Sequence, residues 1–457
     1  MSTLQSVRSS VADWFNRVGL QAPARLALGA FALTILLFTA LLMLPAATVS
    51  GKSAPFIDAL FTATSAVCVT GLTTVDVSTY FSPIGLTIIA TGIKVGGLGI
   101  MTLASLVGLA VSRRIGLTQR ILAAGEARAT GLGDVRRLLA IVIVVSTATE
   151  LLIGAILFPR FLTLDYGLPK SLGFSAFYAI SSFNNAGFSP DPVGLYPYAS
   201  DLWMLLPIGM GVFLGALGFP VYFNLLRAWR TPRRWTLHTK LTVTMVAVLS
   251  VVSAGGLLLF EWDNPGTLGS ATTVATIGNV FFQSINQRSG GFAVFNIGNA
   301  TQETWLLEDV LMFIGGGSGG TAGGIRTTTL AVLLLAIWAE ARGRRDIEAY
   351  GKRIGTEVLR LAVSVTLMSL FIVIVGTIVF MSVTGIALDR ALYEVVSAFA
   401  TCGLSTGITS SLNTAGKVTL IVLMYVGRVG SLTVVAALAL NRKRTVIRYP
   451  AERPLIG

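Results

Sequence analysis

A short apolar pattern that ends in a single glycine occurs four times along this 457-residue chain, at intervals of 116, 104 and 112 residues. The four copies are FTATSAVCVTGL (61–72), FYAISSFNNAGF (177–188), FFQSINQRSGGF (281–292) and YEVVSAFATCGL (393–404). Each glycine has an aromatic residue ten positions earlier; the pairs are Gly71 and Phe61, Gly187 and Phe177, Gly291 and Phe281, and Gly403 and Tyr393. The repeated pattern predicts four equivalent pieces around one axis, which is typical of an ion pore built within a single polypeptide.

The composition indicates a membrane protein. The chain is 53% hydrophobic and only 12% charged, with a mean hydropathy of +0.77, whereas about 25% of the residues of soluble domains are charged. Several apolar stretches reach the roughly 20 residues that a helix needs to cross a bilayer. The first of them, 26–47, is too long for a signal peptide and lacks its cleavage site, so we expect it to be retained.

Each repeat is predicted to contain a spanning helix, a short apolar helix, a glycine turn and a second spanning helix. The predicted helices are 26–47, 54–69 and 82–111; 137–159, 172–184 and 201–226; 239–260, 271–286 and 305–338; and 358–384, 389–400 and 416–440. The middle helix of each set is too short to cross, which predicts a re-entrant pore helix. The expected divisions are 1–111, 112–226, 227–338 and 339–457. The predicted fold class is an all-α integral membrane protein with eight transmembrane helices and four pore helices around one central pore.

The positive charges predict the orientation. Of the 34 Lys and Arg, 25 lie before the first helix, in 112–137, 227–240 and 342–360, and in the tail after Asn441, whereas the opposite loops carry Asp and Glu. Basic loops stay in the cytoplasm, so both termini are expected inside and the glycine turns are expected to open outward. The net charge of +13 then predicts contact with anionic lipids or a docking surface for a cytosolic partner. Nucleic-acid binding is disfavoured, because the charges lack interleaved aromatic residues.

The glycine turns favour cation coordination by the main chain. Rings of backbone carbonyls can replace the hydration shell of a cation, and glycine permits the backbone conformations that aim carbonyls at an axis. The residues before the glycines differ among the repeats, as expected if the ligand is the carbonyl, and no turn contains an acidic residue. The alternative is that the glycines only allow close helix packing. The predicted selectivity filter comprises Val69, Thr70, Gly71, Asn185, Ala186, Gly187, Ser289, Gly290, Gly291, Thr401, Cys402 and Gly403.

Eight motifs resemble the Trk/Ktr/HKT superfamily of potassium transporters, most closely the membrane subunit of its Ktr systems. They are TSAVCVTGL (64–72), KVGGLGIMT (94–102), LGFPV (217–221), LHTKL (237–241), QRSGGF (287–292), GGGSGGTAGGIRT (315–327), VGRVGSLT (426–433) and YPAERPLIG (449–457). The resemblance implies four M1–P–M2 repeats around a pore, a homodimer, and a cytosolic ring of nucleotide-binding RCK subunits. It implies K⁺ as the transported ion, Na⁺ as a candidate activator, and nucleotide only on the partner, with no cofactor in this chain. The family commonly has Gln where Lys94 stands.

A glycine-rich run interrupts the predicted third M2 helix, because such a composition cannot hold a stable helix. It comprises Gly315, Gly316, Gly317, Ser318, Gly319, Gly320, Thr321, Ala322, Gly323 and Gly324. The resemblance implies an intramembrane gate beneath the filter. The run also satisfies G-x-S-x-G, but a serine hydrolase needs a base and the only histidine, His238, lies in a basic loop. It satisfies G-x-G-x-x-G too, yet the dinucleotide fold needs a strand before it. We therefore do not expect an enzyme.

Charged residues at membrane depth are functional candidates. Arg428 is assigned to the gate, either as a fixed positive charge or as an anchor for the loop, with a structural clamp as the alternative. Arg326 is assigned to the gate as well, against snorkelling to the interface. Arg288 is expected to point away from the filter, and for Lys94 both snorkelling and an ion pair stay open. Cys68 and Cys402 are expected to be buried, inert thiols.

These patterns favour channel-like potassium uptake across the cytoplasmic membrane. The alternative is an alternating-access cation carrier. Such carriers commonly have inverted repeats with broken helices at the membrane midplane, whereas two spanning helices per repeat give all four repeats here the same orientation.

Overall fold

The computed structural model describes residues 23–113, 132–192, 194–269 and 272–440. Repeat 1 contains α1 (Pro23–Leu42), the pore helix α2 (Phe56–Val67) and α3 (Pro83–Arg113). Repeat 2 contains α4 (Leu132–Thr163), the pore helix α5 (Leu168–Phe183), α6 (Leu202–Leu217) and α7 (Phe219–Ala228). Repeat 3 contains α8 (Leu237–Glu261), the pore helix α9 (Thr273–Asn286), α10 (Gln302–Ile314) and α11 (Thr327–Ala341). Repeat 4 contains α12 (Thr356–Thr384), the pore helix α13 (Leu388–Phe399) and α14 (Thr414–Leu440). The predicted fold class, an all-α protein of four M1–P–M2 repeats, is confirmed.

The outer face of the first helices is apolar. Leu33, Leu151, Val251 and Phe371, one from each repeat, are between 66% and 72% exposed. In the described residues, four helical segments are individually long and apolar enough to cross a membrane: Pro83–Thr102, Ala140–Thr163, Leu237–Glu261 and Thr356–Thr384. The pair α6 and α7 makes a fifth if it is counted as one span. The structure thus has several membrane-spanning helices, and the count of eight stays a prediction.

The second M2 helix is broken, and the prediction of one helix over 201–226 is wrong. The axes of α6 and α7 differ by 101°. Gly218, between them, has a φ of +89°, and a Cβ there would collide with the carbonyl oxygen of Ser318. Pro220 follows at the start of α7, where its missing N–H costs no hydrogen bond. The break therefore fits the glycine-rich run of repeat 3 against repeat 2.

The basic segment predicted as a loop at 342–360 contains a β-hairpin. The strands β1 (Ile347–Ala349) and β2 (Lys352–Ile354) pair antiparallel, with Ile347 opposite Ile354. Tyr350 and Gly351 between them both have positive φ, as a type I′ hairpin turn requires. The buried side chains of the strands join one apolar cluster with residues of α8, α10 and α11. The hairpin is therefore packed onto the third repeat. The basic arm, most of 112–137 and the basic tail lie outside the described residues.

Candidate functional site

The four glycine turns meet one another in a closed ring. A Cβ built on each glycine would collide with the backbone of the next turn: Gly71 with the Ala186 oxygen, Gly187 with the Gly291 Cα, Gly291 with the Cys402 oxygen, and Gly403 with the Thr70 oxygen. The φ angles of these glycines lie between +69° and +101°, a region that other residues rarely adopt. The order of contacts is repeat 1, 2, 3, 4 and back to 1. A side chain at any of the four positions would therefore strain the backbone and displace the neighbouring turn.

Backbone oxygens lie at the contacts between adjacent turns of this ring. The carbonyl oxygens of Thr70, Ala186 and Cys402 occupy the places where the neighbouring glycines would carry a side chain. These three residues are fully buried, whereas the glycines that follow them are half-buried. The ring thus presents main-chain oxygens from different repeats at close range, an arrangement that suits a dehydrated cation.

Three of the four pore helices end in the same way. The residues Val69, Asn185 and Thr401 have φ of 56°, 58° and 48°, in the left-handed region. The next N–H returns to the carbonyl five residues back: Thr70 to Ser65 at 2.7 Å, Ala186 to Ser181 at 2.8 Å and Cys402 to Ser397 at 2.9 Å. This is the Schellman motif, which usually has glycine at the left-handed position. β-Branched Val and Thr there are strained, and such strain concentrates at functional sites.

The third turn is built differently. Its pore helix ends at Asn286, so the segment between the helix and Gly291 is one residue longer than in the other repeats. The N–H of Gly290 donates to the Asn286 carbonyl at 2.7 Å. The Asn286 side chain donates to the Phe292 carbonyl and accepts from the Phe292 N–H at 3.3 Å. One amide side chain therefore holds this turn. Ser289 lies beside it and is buried.

Serine hydroxyls of the pore helices hold the other turns. Ser65 accepts from the Gly71 N–H, and Ser397 accepts from the Gly403 N–H, both at 3.0 Å. Ser181, at the equivalent position, donates to the Phe188 carbonyl at 2.8 Å. All three serines are fully buried. These serines were not predicted as functional residues, although a serine six residues before the glycine in three of the four copies is a visible signal.

A cavity of about 410 Å³ opens on one side of the ring. It is lined by the four turn glycines and by residues that follow them, including Asp76 and Asp191. Among the described residues, no Lys or Arg lines this cavity. Acidic groups in a concave surface raise the local concentration of cations.

The glycine-rich run contacts residues that precede the turn glycines. The N–H of Gly323 donates to the Ser289 hydroxyl at 3.0 Å. The side chains of Thr321 and Asn185 are hydrogen-bonded at 3.1 Å. A Cβ on Gly323 would collide with the Ala400 carbonyl, next to Thr401. The run thus touches three of the four turns, and none of its residues lines the cavity.

The run is also fixed to the broken helix of repeat 2. Gly317 and Thr321 donate their N–H groups to the carbonyls of Ala216 and Gly215, at 2.8 and 3.1 Å. The Phe219 N–H donates to the Gly319 carbonyl at 3.3 Å. The two interruptions, one in each M2 helix, therefore satisfy each other's backbone groups, as non-helical backbone at membrane depth must be satisfied.

Two arginines clamp the run. Arg428 is 2% exposed and donates to the Thr321 carbonyl at 2.5 Å; its Nη1 also lies 3.5 Å from the Thr401 hydroxyl. Its Nε and Nη2 have no hydrogen-bond partner in the described part of the chain. Arg326 donates to the carbonyls of Gly317, at 3.3 Å, and Ala322. Both arginines thus bind the loop, so Arg326 does not snorkel away from it.

The remaining charged candidates are placed as follows. Arg288 donates to Ser250 and to the Val246 carbonyl of α8, away from the ring, as predicted. Lys94 forms an ion pair with Glu150 at 2.7 Å, which decides between the two interpretations of this residue. Glu150 was not predicted as a functional residue. Lys94 and Glu150 are 56 residues apart in the sequence, and no local sequence pattern indicates that they are in contact.

The chain resembles known transport proteins over nearly its whole length. A family model described as "TrkH: Cation transport protein" matches residues 29–445. The "Ktr system potassium uptake protein B" of Bacillus subtilis is 38% identical over 455 residues, which cover 100% of both chains. The "Potassium/sodium uptake protein NtpJ" of Enterococcus hirae is 34% identical and covers 95% of this chain and 97% of its own. The crystal structure of the potassium transporter TrkH from Vibrio parahaemolyticus matches this structure with a TM-score of 0.67 and 18% sequence identity, over 90% of this chain and 84% of that one. At this low identity, the match shows a shared fold and nothing more.

Proposed function

Because the chain belongs to the TrkH family of cation transport proteins, we propose that it carries potassium into the cell through a selectivity filter of backbone carbonyls. The observation that carries the proposal is the closed ring of four turn glycines, in which the Thr70, Ala186 and Cys402 oxygens lie at the contacts between adjacent turns. The pore helices end at these turns, so the negative ends of their dipoles favour a cation there. The names of the relatives include potassium uptake, in agreement with this proposal.

The glycine-rich run 315–324 is proposed as the gate of this pore, with Arg326 and Arg428 as its anchors. It lies against the turns on the side opposite the cavity and is held by hydrogen bonds to two repeats. Buried positive charge from Arg428 on that side opposes the leak of cations past a closed loop. With the cavity facing outward and both termini in the cytoplasm, the gate lies on the inner half of the pore.

Regulation is proposed to come from a cytosolic partner. The name "Ktr system" of three relatives implies further subunits. We take the partner to be a ring of nucleotide-binding RCK subunits below a homodimer of this chain in the cytoplasmic membrane. Na⁺ is a candidate activator or a second transported ion, since the name of one relative includes sodium. An alternating-access carrier is the competing mechanism.

The first prediction tests the filter by the change Gly71→Ser. We expect weaker K⁺ uptake and entry of Na⁺, because a side chain at a φ of +101° would collide with the Ala186 carbonyl and displace it from the ring. The measurement is growth of a K⁺-uptake-deficient bacterium at low K⁺. The control is Gly173→Ser, in the pore helix of repeat 2, where a Cβ meets no atom within 4 Å. Unimpaired growth of Gly71→Ser at low K⁺ would contradict the filter assignment.

A further inference from the structure

We propose that the ion pair of Lys94 with Glu150 positions the turn of repeat 2 and thereby sets how strongly the ring prefers K⁺ to Na⁺. The inference rests on the proposed function, since it gives these residues a role in the selectivity of the filter. Neither side chain touches the ring itself, so both are positioning residues.

The pair joins two repeats. Lys94 lies on α3, and its Nζ donates to Glu150 Oε2 at 2.7 Å and to Ser146 Oγ at 3.0 Å, both on α4. The side chain of Glu150 is 7% exposed and that of Lys94 is 20% exposed. A carboxylate at membrane depth is costly unless it is paired. Lys94 therefore allows Glu150 to stay ionised, and an ionised carboxylate is the stronger hydrogen-bond acceptor.

The second oxygen of Glu150 holds the end of the pore helix of repeat 2. Its Oε1 accepts from the side-chain Nδ2 of Asn184 at 2.9 Å. Asn184 caps the C-terminus of α5 and directly precedes Asn185, the left-handed residue of the turn. The same Nδ2 donates to the Ile180 carbonyl at 2.8 Å, while Oδ1 has no partner in the part of the chain described. Glu150 is thus the side chain that fixes the capping amide.

The helix that carries Lys94 lies directly against two turns. A Cβ on Gly96 would collide with the carbonyl of Val67, the last residue of the pore helix of repeat 1, and a Cβ on Gly97 would collide with the Asn184 side chain. At this level α3 has no clearance from either pore helix. A shift of α3 on loss of the pair would move the turns of repeats 1 and 2 together, and interiors this closely packed transmit such shifts.

The other repeats hold their caps differently. Gln287, the equivalent cap of repeat 3, donates to Glu308 at 2.6 Å, but Glu308 accepts its other close bond from the Tyr393 hydroxyl, at 2.5 Å. The caps of repeats 1 and 4 are Cys68 and Ala400, which carry no amide. Among the described residues, the cap of repeat 2 alone is held through an ion pair. Charge therefore controls the geometry of this turn.

The test compares Lys94→Gln, Glu150→Gln and the double variant in proteoliposomes, with the ratio of K⁺ to Na⁺ influx as the measurement. We expect each single change to lower this ratio about tenfold, a coupling typical of buried neighbours. The double change should restore the ratio to within about threefold, because two amides can keep the hydrogen bonds without an unpaired charge. If Glu150→Gln, which leaves a lysine unpaired, does not accumulate, Lys94→Gln and the double variant carry the test.

A second ion pair supplies the matched control. Lys417 binds Asp58 at the same distance, 2.7 Å, and also joins two repeats, but Asp58 lies in the first turn of its pore helix. Its hydrogen bond to Thr74, at 2.8 Å, reaches the segment that follows Gly71 and not the cap that precedes the turn. Lys417→Gln, alone or with Asp58→Asn, should leave the ratio unchanged. A wild-type ratio in Lys94→Gln, or an equal loss in Lys417→Gln, would overturn the inference.

The Gly71→Ser variant separates the two hypotheses in the same assay. If it lowers the ratio and the Lys94 variants do not, the positioning role is wrong and the filter stands. If Gly71→Ser also leaves the ratio unchanged, the proposed filter itself is wrong.

Discussion

At the scale of single residues, the turns combine strain with satisfied backbone groups. Val69 and Thr401 are β-branched residues in the left-handed region, which costs about 1–3 kcal/mol each. The neighbouring N–H groups of Gly71 and Gly403 are each held by a serine hydroxyl at 3.0 Å. The strained conformation is thus fixed from the pore helix, so the carbonyls keep their direction without a side chain entering the ring.

We expect Ser65→Ala to reduce the preference of the protein for K⁺ over Na⁺. The change leaves the Gly71 N–H without its partner, at a cost of about 1–3 kcal/mol for a buried group, and frees the peptide to rotate. The measurements are ion competition in proteoliposomes and thermal unfolding in detergent. The control is Thr62→Val on the same helix, because the buried Thr62 hydroxyl has no hydrogen-bond partner in the described residues. An unchanged ion preference in Ser65→Ala would contradict the role of this hydroxyl.

The ring of turns was predictable because its signal is local and repeated: an apolar helix and a glycine at a fixed spacing. The structure brings all twelve predicted filter residues to the four turns, whereas their role in selectivity stays a prediction. The end of the third pore helix at Asn286 agrees with the predicted span 271–286. The way the Asn286 side chain holds the turn was not predicted, because the pattern does not show which backbone groups a side chain will bind. The contact between Lys94 and Glu150 joins different repeats, and no local periodicity encodes it.

At the scale of elements, the second M2 helix is broken where the glycine-rich run of the third M2 helix packs against it. The run 315–324 was predicted because a stretch so rich in glycine cannot stay helical. The break at Gly218 was missed, since single glycines and prolines are common within membrane helices. Its cause is the loop of another repeat: the Ser318 carbonyl occupies the place of a Cβ on Gly218. The run 315–324 and the break at Gly218 therefore form one hydrogen-bonded unit next to the ring.

We expect deletion of 317–320 to raise K⁺ flux above that of the wild type, even without a partner. The deletion removes the hydrogen bonds of Gly317 to Ala216 and of Gly319 to Phe219, which hold the loop under the ring. The measurement is K⁺ flux in proteoliposomes. Ser318→Ala, which keeps the backbone of the loop, should retain the resting flux. Lower flux at normal protein levels after the deletion would show that the run is a packing element.

At the scale of the whole molecule, the proposed regulation requires a connection between the basic face, which we place in the cytoplasm, and the proposed gate. A permanently open pore would dissipate the membrane potential, which drives cations inward with about 2.3 kcal/mol per charge per 100 mV. The hairpin β1–β2 packs in the same cluster as α11, which begins where the glycine-rich run ends. Its Tyr350 hydroxyl is also hydrogen-bonded to Thr244 of α8 at 2.6 Å. We therefore expect a partner that binds the hairpin to shift α11 and, through it, the proposed gate at 315–324.

We expect the double change Arg344→Glu and Arg345→Glu to weaken binding of an RCK ring in a salt-dependent way, while flux without the partner stays intact. Both arginines are exposed beside the hairpin. The measurement is co-purification of the ring at increasing salt. Arg390→Glu, an exposed position that we place on the outer face, is the control. Recovery of the RCK subunits at full stoichiometry in moderate salt would contradict docking of these subunits at Arg344 and Arg345.

The central claim is that the ring of four glycine turns selects potassium. Its most direct test is K⁺ influx into proteoliposomes of the purified protein, with Rb⁺ or Na⁺ added at equal concentration as the competitor. The account predicts that Rb⁺ competes with K⁺ and that Na⁺ does not, because a carbonyl ring that fits a dehydrated K⁺ also accepts an ion of similar size. Inhibition of K⁺ influx by Na⁺ as strong as that by Rb⁺ would contradict it.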